Sequence, residues 1–266
     1  TVNGILSMEG TATASAAPTY GAAATLQYNS THTAGAEWST PFVASGGVII
    51  NTGTITMNAA KVFNATAPLT INSGATLASS TFLLTLNGNF INNGGTTSGS
   101  GGVTVTGTGI QSIGSFTTTG TVSMTKTSGT ATFTGNVNGG AFTLNGSGGT
   151  MDLGAGLTHT FTGAWTRSNG TLLGNSSTLN IFGNVTNTAG TFTAGTGTVN
   201  YNGAAQTIAN VTYNNFTLSG SGIKTTTGAT VNGILSMEGT ATASAAPAYG
   251  AAATLQYKGS GAQTTG

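Results

Sequence analysis

Apolar residues along this chain come in pairs two positions apart, and the pairs return at a nearly constant interval. The anchors are Ile5, Leu26, Val48, Leu69, Leu84, Val103, Val122, Phe142, Phe161, Leu179, Val199, Phe216, Ile234 and Leu255, about 19 residues per step. In eleven of the fourteen the residue two places on is also apolar, as in Val48/Ile50, Leu84/Leu86 and Val199/Tyr201. That spacing puts both side chains on one face of a short strand. It predicts strands at 48–51, 54–57, 69–72, 82–86, 103–106, 121–125, 131–134, 142–144, 159–162, 178–182, 198–201 and 211–218. Gly, Asn and Ser separate them and supply the turns. Short strands at a fixed pitch describe an all-β fold, a parallel β-solenoid with coils of about 19–20 residues. No coil buries its inner face alone, so stacking is what makes the core. At about 4.8 Å per strand, twelve coils in a 229-residue unit would rise about 58 Å. The rival architecture is a string of immunoglobulin-like sandwiches, which would not need an internal pitch near 20.

Repeats are the second signal. Residues 1–28 and 230–257 agree at 27 of 28 positions, with Thr19 against Ala248 the one difference. The sequence therefore reads as one continuous solenoid segment, 1–266, made of a long repeat, 1–229, and the start of the next copy at 230–266. Inside the long repeat, GNFINNGG (88–95) matches GNVTNTAG (183–190). VTVTG (103–107) with Gln111 matches VNYNG (199–203) with Gln206, and KTSGTATFTGNV (126–137) matches KTTTGATVNGIL (224–235). The drift from an offset of 95 to one of 98 reads as loops that differ by a residue or so while the strands keep their order. The Ala-rich stretch 11–25 reads as an irregular insertion, and its copy at 240–254 is expected to do the same.

Composition narrows the function classes. Charged residues make up 3% of the chain and the net charge is +1, against about 25% in ordinary soluble domains. Too few Lys and Arg are present to neutralise phosphates, so nucleic acid is not a partner. Gly (44) and Thr (56) disfavour long helices and suit strands and corners. Cysteine is absent, which excludes disulfides and thiolate metal sites. No run approaches the roughly 20 apolar residues of a transmembrane segment, and no charged-then-apolar leader opens the chain. Outward Thr, Ser and Asn are left to solubilise the walls in stacked ladders.

The runs VNYNGAAQTIANVTYNNFTLSGSGIKTTTGATVNG (199–233) and LQYKGSGAQTTG (255–266) resemble the β-strand-repeat segments of very large bacterial surface proteins. Those are similar to filamentous-haemagglutinin-type adhesins, whose fold is a right-handed parallel β-helix. The resemblance implies a right-handed coil and an exported, extracellular or cell-surface fibre. It carries no catalytic residues to transfer.

The ionisable side chains do not converge. Glycoside hydrolysis needs two carboxylates about 5–10 Å apart. Glu9 and Glu238 are the same position in successive copies, and Glu37 and Asp152 lie far apart in the chain. No catalytic, cofactor-binding or metal-binding residue is assigned, no cofactor is expected, and the chain reads as non-enzymatic. His32, Glu37 and Trp38 lie close in sequence, which would suit a metal or sugar site; a loop interrupting the repeat is the plainer reading. His159, in THTFTG, reads as an outward ladder residue, and Lys126 and Lys224 read as structural, either capping a coil corner or discouraging lateral pairing, rather than as a phosphate site. Trp38, Trp165, Tyr20 and Tyr249 are the candidates for glycan contact, though aromatics packed in the core or at a corner are the commoner case. Sequons stand at Asn29, Asn64, Asn145, Asn169, Asn175, Asn184, Asn210 and Asn215. Thr54-Ile-Thr56, Thr104-Val-Thr106, Thr132-Phe-Thr134 and Thr191-Phe-Thr193 fit the local motif of ice-binding solenoids but do not recur each coil. The sequence thus points to a structural fibre or stalk whose partners are adjacent repeats and laterally packed copies. An adhesin surface and an ice-binding solenoid are the alternatives.

Overall fold

The computed structural model describes residues 1–259; 260–266, including part of the run 255–266, lie outside it. Among the described residues there is no helix, and the strands stack in parallel ladders over about thirteen turns of one β-solenoid. Each full turn visits three faces in a fixed order. The first face carries Ile5–Met8, Thr25–Tyr28, Val48–Ile50, Leu69–Asn72, Phe90–Asn93, Gln111–Ile113, Thr130–Phe133, 150–152, 171–173 and Thr191–Thr193. Thr212–Tyr213, Thr230–Val231 and Ala248–Tyr249 continue it. The second begins at His32–Thr33, Thr54–Thr56, Thr76–Ala78 and Thr96–Ser98, then runs from Phe116–Thr117 to Thr254–Tyr257. Where its backbone ladder breaks, Thr97 bridges: its Oγ1 accepts from the Thr117 amide at 2.7 Å and donates to the Thr117 carbonyl. The third face includes Lys61–Val62, Leu84–Leu86, Val103–Val105, Val122–Met124, 142–144, 165–167 and Val185–Asn187. Gln206–Thr207, Ser221–Thr225 and Thr240–Ala243 complete it.

The third face shows why these residues make these strands. Two inward files run through successive coils, Leu84, Val103, Val122, Phe142, Trp165, Val185 and Leu86, Val105, Met124, Leu144, Arg167, Asn187. Between them one outward file reads Thr85, Thr104, Ser123, Thr143, Thr166, Thr186. The in-out-in alternation is the period-2 pattern, and each large aliphatic side chain removed from water contributes about 1.5–3 kcal/mol. On the first face the ladder is made of amides: Asn51, Asn72 and Asn93 each donate 2.9 Å to the Oδ1 of the asparagine one coil back, Asn29, Asn51 and Asn72. Such files satisfy polar groups without charge. Corners need glycine where the backbone turns left-handed. At Gly170 (φ +76°) a Cβ would lie 2.7 Å from the Gly146 carbonyl of the previous coil.

Two expectations change. The anchors do not descend one face. They run down the first face to Leu69, cross to the third from Leu84 to Phe142, and to the second from Phe161 onward. A coil in regular register therefore takes between 17 residues (Thr198 to Asn215) and 23 (Phe90 to Ile113), and 24 at the irregular pair Asn145↔Asn169, rather than a constant 19. The three anchors without a partner two places on are explained as well. Ile5 and Ile234 are exposed, the inward pairs being Leu6/Met8 and Leu235/Met237, while Phe161 pairs inward with His159 two places before it.

The near-identical copies do not sit on the same face. Ile5–Met8 stacks on Thr25–Tyr28 on the first face, in register Ile5↔Thr25 to Met8↔Tyr28. Ile234–Met237 stacks on Thr254–Tyr257 in the equivalent register on the second face. Counting strands along the chain, the second copy begins eleven and one-third turns after the first. The weaker internal repeat also fails to keep its strands in step. Gln111 to the strand at 130 spans one turn, whereas Gln206 to Thr230 includes one face more, so three added residues hide a whole strand. In the second copy the Ala-rich stretch is not wholly irregular: Thr240–Ala243 forms a strand that pairs with Ser221–Lys224 one coil back.

Candidate functional site

The chemistry of this chain lies inside the spine. At the early coils, the strand Thr25–Tyr28 and the bend after His32 bring Tyr28, Glu37 and Trp38 together in the core. Tyr28 donates 2.7 Å to Glu37 Oε1, which also accepts from the Gly35 amide at 2.7 Å. Tyr20 donates to the Glu37 carbonyl. Burial, and then the neighbouring carboxylate, push both phenols far above their ordinary value. Lys61 enters from the next coil, donating 3.1 Å to the Trp38 carbonyl with its ammonium 5.4 Å from the indole centroid. Burial lowers its pKa and the charge on Glu37 opposes that shift. This segment is a loop that interrupts the repeat, as the sequence suggested, with no strand between Thr33 and Val48, and it folds inward as a packed polar plug in the core. His32 is buried, its Nε2 within 2.9 Å of Ser30 Oγ.

His159 corrects a second expectation. It is fully buried in an inward file above Leu179, not outward. The Val137 amide donates to its Nδ1 at 3.1 Å, so Nε2 carries the proton and donates to the Leu153 carbonyl at 2.8 Å. Burial lowers its pKa, opposed by the bond to Leu153. A ring committed to two backbone groups has no nitrogen for a metal, and among the described residues no three His, Asp or Glu cluster to hold one.

Lys126 and Lys224 are corner caps, and each works through a glutamine. Gln206 Nε2 donates to the carbonyls of Ile181 (3.0 Å) and Gly183 (2.8 Å) one coil back, while Oε1 accepts from the Gly203 amide (2.8 Å). Lys224, one coil on, donates to Gln206 Oε1 (2.8 Å) and to the Gly203 and Ala204 carbonyls. Its pKa is lowered to about 8 by burial. Gln111 and Lys126 repeat the device: Gln111 donates to the Leu86 and Gly88 carbonyls, and Lys126 donates to Gln111 Oε1 (2.6 Å) and the Gly109 carbonyl. Each clamp ties three consecutive coils. Pairing VTVTG…Q and K in both halves of the sequence was the available signal, since a Gln followed by a Lys 15 and 18 residues on, among strands of Thr and Gly, needs a reason.

No protein-family model matches this chain, and no curated protein or solved structure matches it. What it can do has to be read from its geometry. Trp38 and Trp165 are 2% and 4% exposed, so neither presents a flat face to a sugar. Trp165 stacks on Phe142 at 3.9 Å, and Tyr20 is half-buried; of the four aromatic candidates Tyr249 alone is exposed. The four carboxylates lie apart. Glu9 is bonded to Ser7, Glu37 to Tyr28, Asp152 to the Gly154 amide and Asn175, and Glu238 to Ser236 with Lys258 at 4.0 Å. The threonine motifs share faces with their neighbours but not as a double array: Thr54/Thr56 is followed by Thr76/Ala78, and Thr191/Thr193 is preceded by Thr171/Leu173.

Proposed function

We propose that this chain is a segment of a non-enzymatic fibre or stalk outside the cell, built from tandem copies of the long repeat. One observation carries the reading: a 28-residue segment recurs almost unchanged and makes the same two-strand stack in the same register at two levels of one solenoid. A unit that rejoins its own geometry is extended by repetition, because each coil contacts only its neighbours. The mechanism is mechanical. Backbone ladders lie along the fibre axis, apolar files form a dry spine, and the two Gln–Lys clamps lock coils in threes. With four acidic and five basic residues on 266, the walls carry little charge to keep neighbouring fibres apart.

An array built by the operator relating the two copies turns one face at each repeat. Surface features of the repeat then point in three directions along the fibre, and at about 4.8 Å per turn eleven and one-third turns rise about 54 Å. This replaces the 58 Å expected from the anchor pitch.

The adhesin alternative loses its two tryptophans to the core and keeps Tyr249, of its four candidates, exposed, with Phe182 and Tyr257 exposed as well. Ice binding rests on the hydroxyl file from Thr85 to Thr186, which is single where a flat array needs a second file beside it. Immunogold labelling of source cells with antibodies to residues 1–229 tests the fibre: the reading expects label spaced along surface filaments, and label confined to the cell interior overturns it.

A further inference from the structure

The solenoid loses its backbone ladder on two faces at one level. On the third face Val185–Asn187 ends a run of paired strands, and Gln206–Thr207, one turn on, is not paired to it. On the first face Thr191–Thr193 and Thr212–Tyr213 are unpaired in the same way. Among the described residues no backbone hydrogen bond joins 185–193 to 206–213. The second face is continuous there, with Thr198–Tyr201 paired to Thr178–Ile181 below and Asn215–Leu218 above. Side chains pin the two ends of the gap. At one end Gln206 reaches the Ile181 and Gly183 carbonyls, and Asn184 Oδ1 accepts from the Thr207 amide. At the other, Asn215 Nδ2 donates 3.1 Å to the Thr196 carbonyl. Between these pins the bond from Asn187 Nδ2 to Asn210 Oδ1 is long, at 3.4 Å.

Elsewhere in the gap the lips meet through rings. Phe192 on the lower lip lies 6.0 Å from Tyr213 on the upper, and Arg167, bonded to Asn187, packs beneath Phe192. A half-open cavity enters between Phe192 and the side chains of Ala209, Val211 and Tyr213. A surface cleft of about 320 Å³ parts Thr193 and Gly195 from Thr212 and Asn214. A second interruption, between Thr96–Ser98 and Phe116–Thr117, touches one face, and there Thr97 Oγ1 stitches both backbone groups of Thr117. At the offset of 95 that aligns GNFINNGG with GNVTNTAG, the place of Thr97 falls to Phe192, whose ring has no such bond to give.

We propose that this slit is a flexure, a joint in the spine that opens over the third and first faces while the second-face ladder holds as its hinge. Coils contact only their neighbours, so bending is taken up at the interface with the fewest ladders. Its use rests on the stalk reading, in which it gives the fibre one compliant level in each long repeat. The joint itself is a property of the chain, so its test stands apart from the labelling of cells.

The chain has no cysteine, so one introduced thiol reports opening. Val185 walls the slit and Val103 lies in the same inward file beside the stitched gap; each is 6% exposed. In the folded full chain a thiol reagent such as dithiobis(nitrobenzoate) should label Val185→Cys about tenfold faster or more than Val103→Cys. Should either variant not fold, acrylamide quenching of the unaltered chain decides. Trp165 walls the slit and Trp38 does not, so two quenching components are expected although both indoles are buried. Equal labelling of the two cysteines, or a single quenching component where the variants do not fold, overturns the flexure.

Discussion

Replacing Gln206 by methionine keeps the length and volume of the side chain and removes four hydrogen bonds at once. The consequences differ from group to group. The Ile181 carbonyl still accepts from the Asn202 amide at 3.1 Å, and Lys224 keeps two backbone carbonyls. The Gly183 carbonyl and the Gly203 amide have Gln206 as their partner and are left unpaired inside the corner. Both groups are half-buried, so at the lower part of about 1–3 kcal/mol for each group orphaned Gln206→Met should cost about 2–3 kcal/mol. Lys224→Met should cost far less, about 1 kcal/mol. The Gly203 carbonyl retains the Ser221 amide, Gln206 Oε1 retains the Gly203 amide, and a buried charge disappears. Urea unfolding of the two variants measures the asymmetry, and hydrogen exchange at the Gly203 amide reports it locally. A Gln206→Met cost below that of Lys224→Met, with Gly203 exchange unchanged, would refute the clamp. The lysine also predicts a pH signature: its pKa is about 8 folded against 10.5 unfolded, so the unfolded chain holds more protons between those values. Stability should rise from pH 8 to 10.5, and Lys224→Met should flatten that rise.

Other consequences follow from the same packing. His159 is neutral when folded, with its pKa below the ordinary 6.5, so stability should fall as pH drops below 6.5; denaturant titrations of His159→Phe should show a weaker acid dependence. Gly170→Ala forces a side chain into a left-handed backbone against the Gly146 carbonyl and should cost about 2 kcal/mol or more, read as a lower urea midpoint. Asn72→Asp removes the donor to Asn51 and sets a carboxylate in the amide file; a loss of about 1–2 kcal/mol that low pH relieves would mark the file as continuous.

Much of the fold was legible because doublets report strand faces directly. Val48/Ile50, Val103/Val105 and Val199/Tyr201 are inward pairs, and the predicted strands exist except that 211–218 is two, Thr212–Tyr213 on the first face and Asn215–Leu218 on the second. The three faces were hidden because strands on every face obey the same alternation, so a walk from Leu69 to Leu84 changes face without any change of pattern. Ile5 misled because it is the more hydrophobic neighbour of Leu6, while the ladder register sets the inward choice. His159 was misread for the opposite reason: a polar residue took an inward place by meeting two backbone groups. Arg167 was legible in principle, since Trp165-Thr-Arg167 lies in file with Phe142-Thr-Leu144, and its charge breaks a column of aliphatic residues. The tryptophans could not be placed from sequence, because an indole suits a core file as well as a sugar.

A chain carrying three consecutive long repeats, imaged in ice and averaged along its length, tests the fibre most directly. A continuous rod is predicted, with strands about 4.8 Å apart and each repeat displaced by about 54 Å and turned by a third of a revolution beyond the solenoid's own twist. Separate globules on a string, or repeats that superpose without that turn, would contradict it.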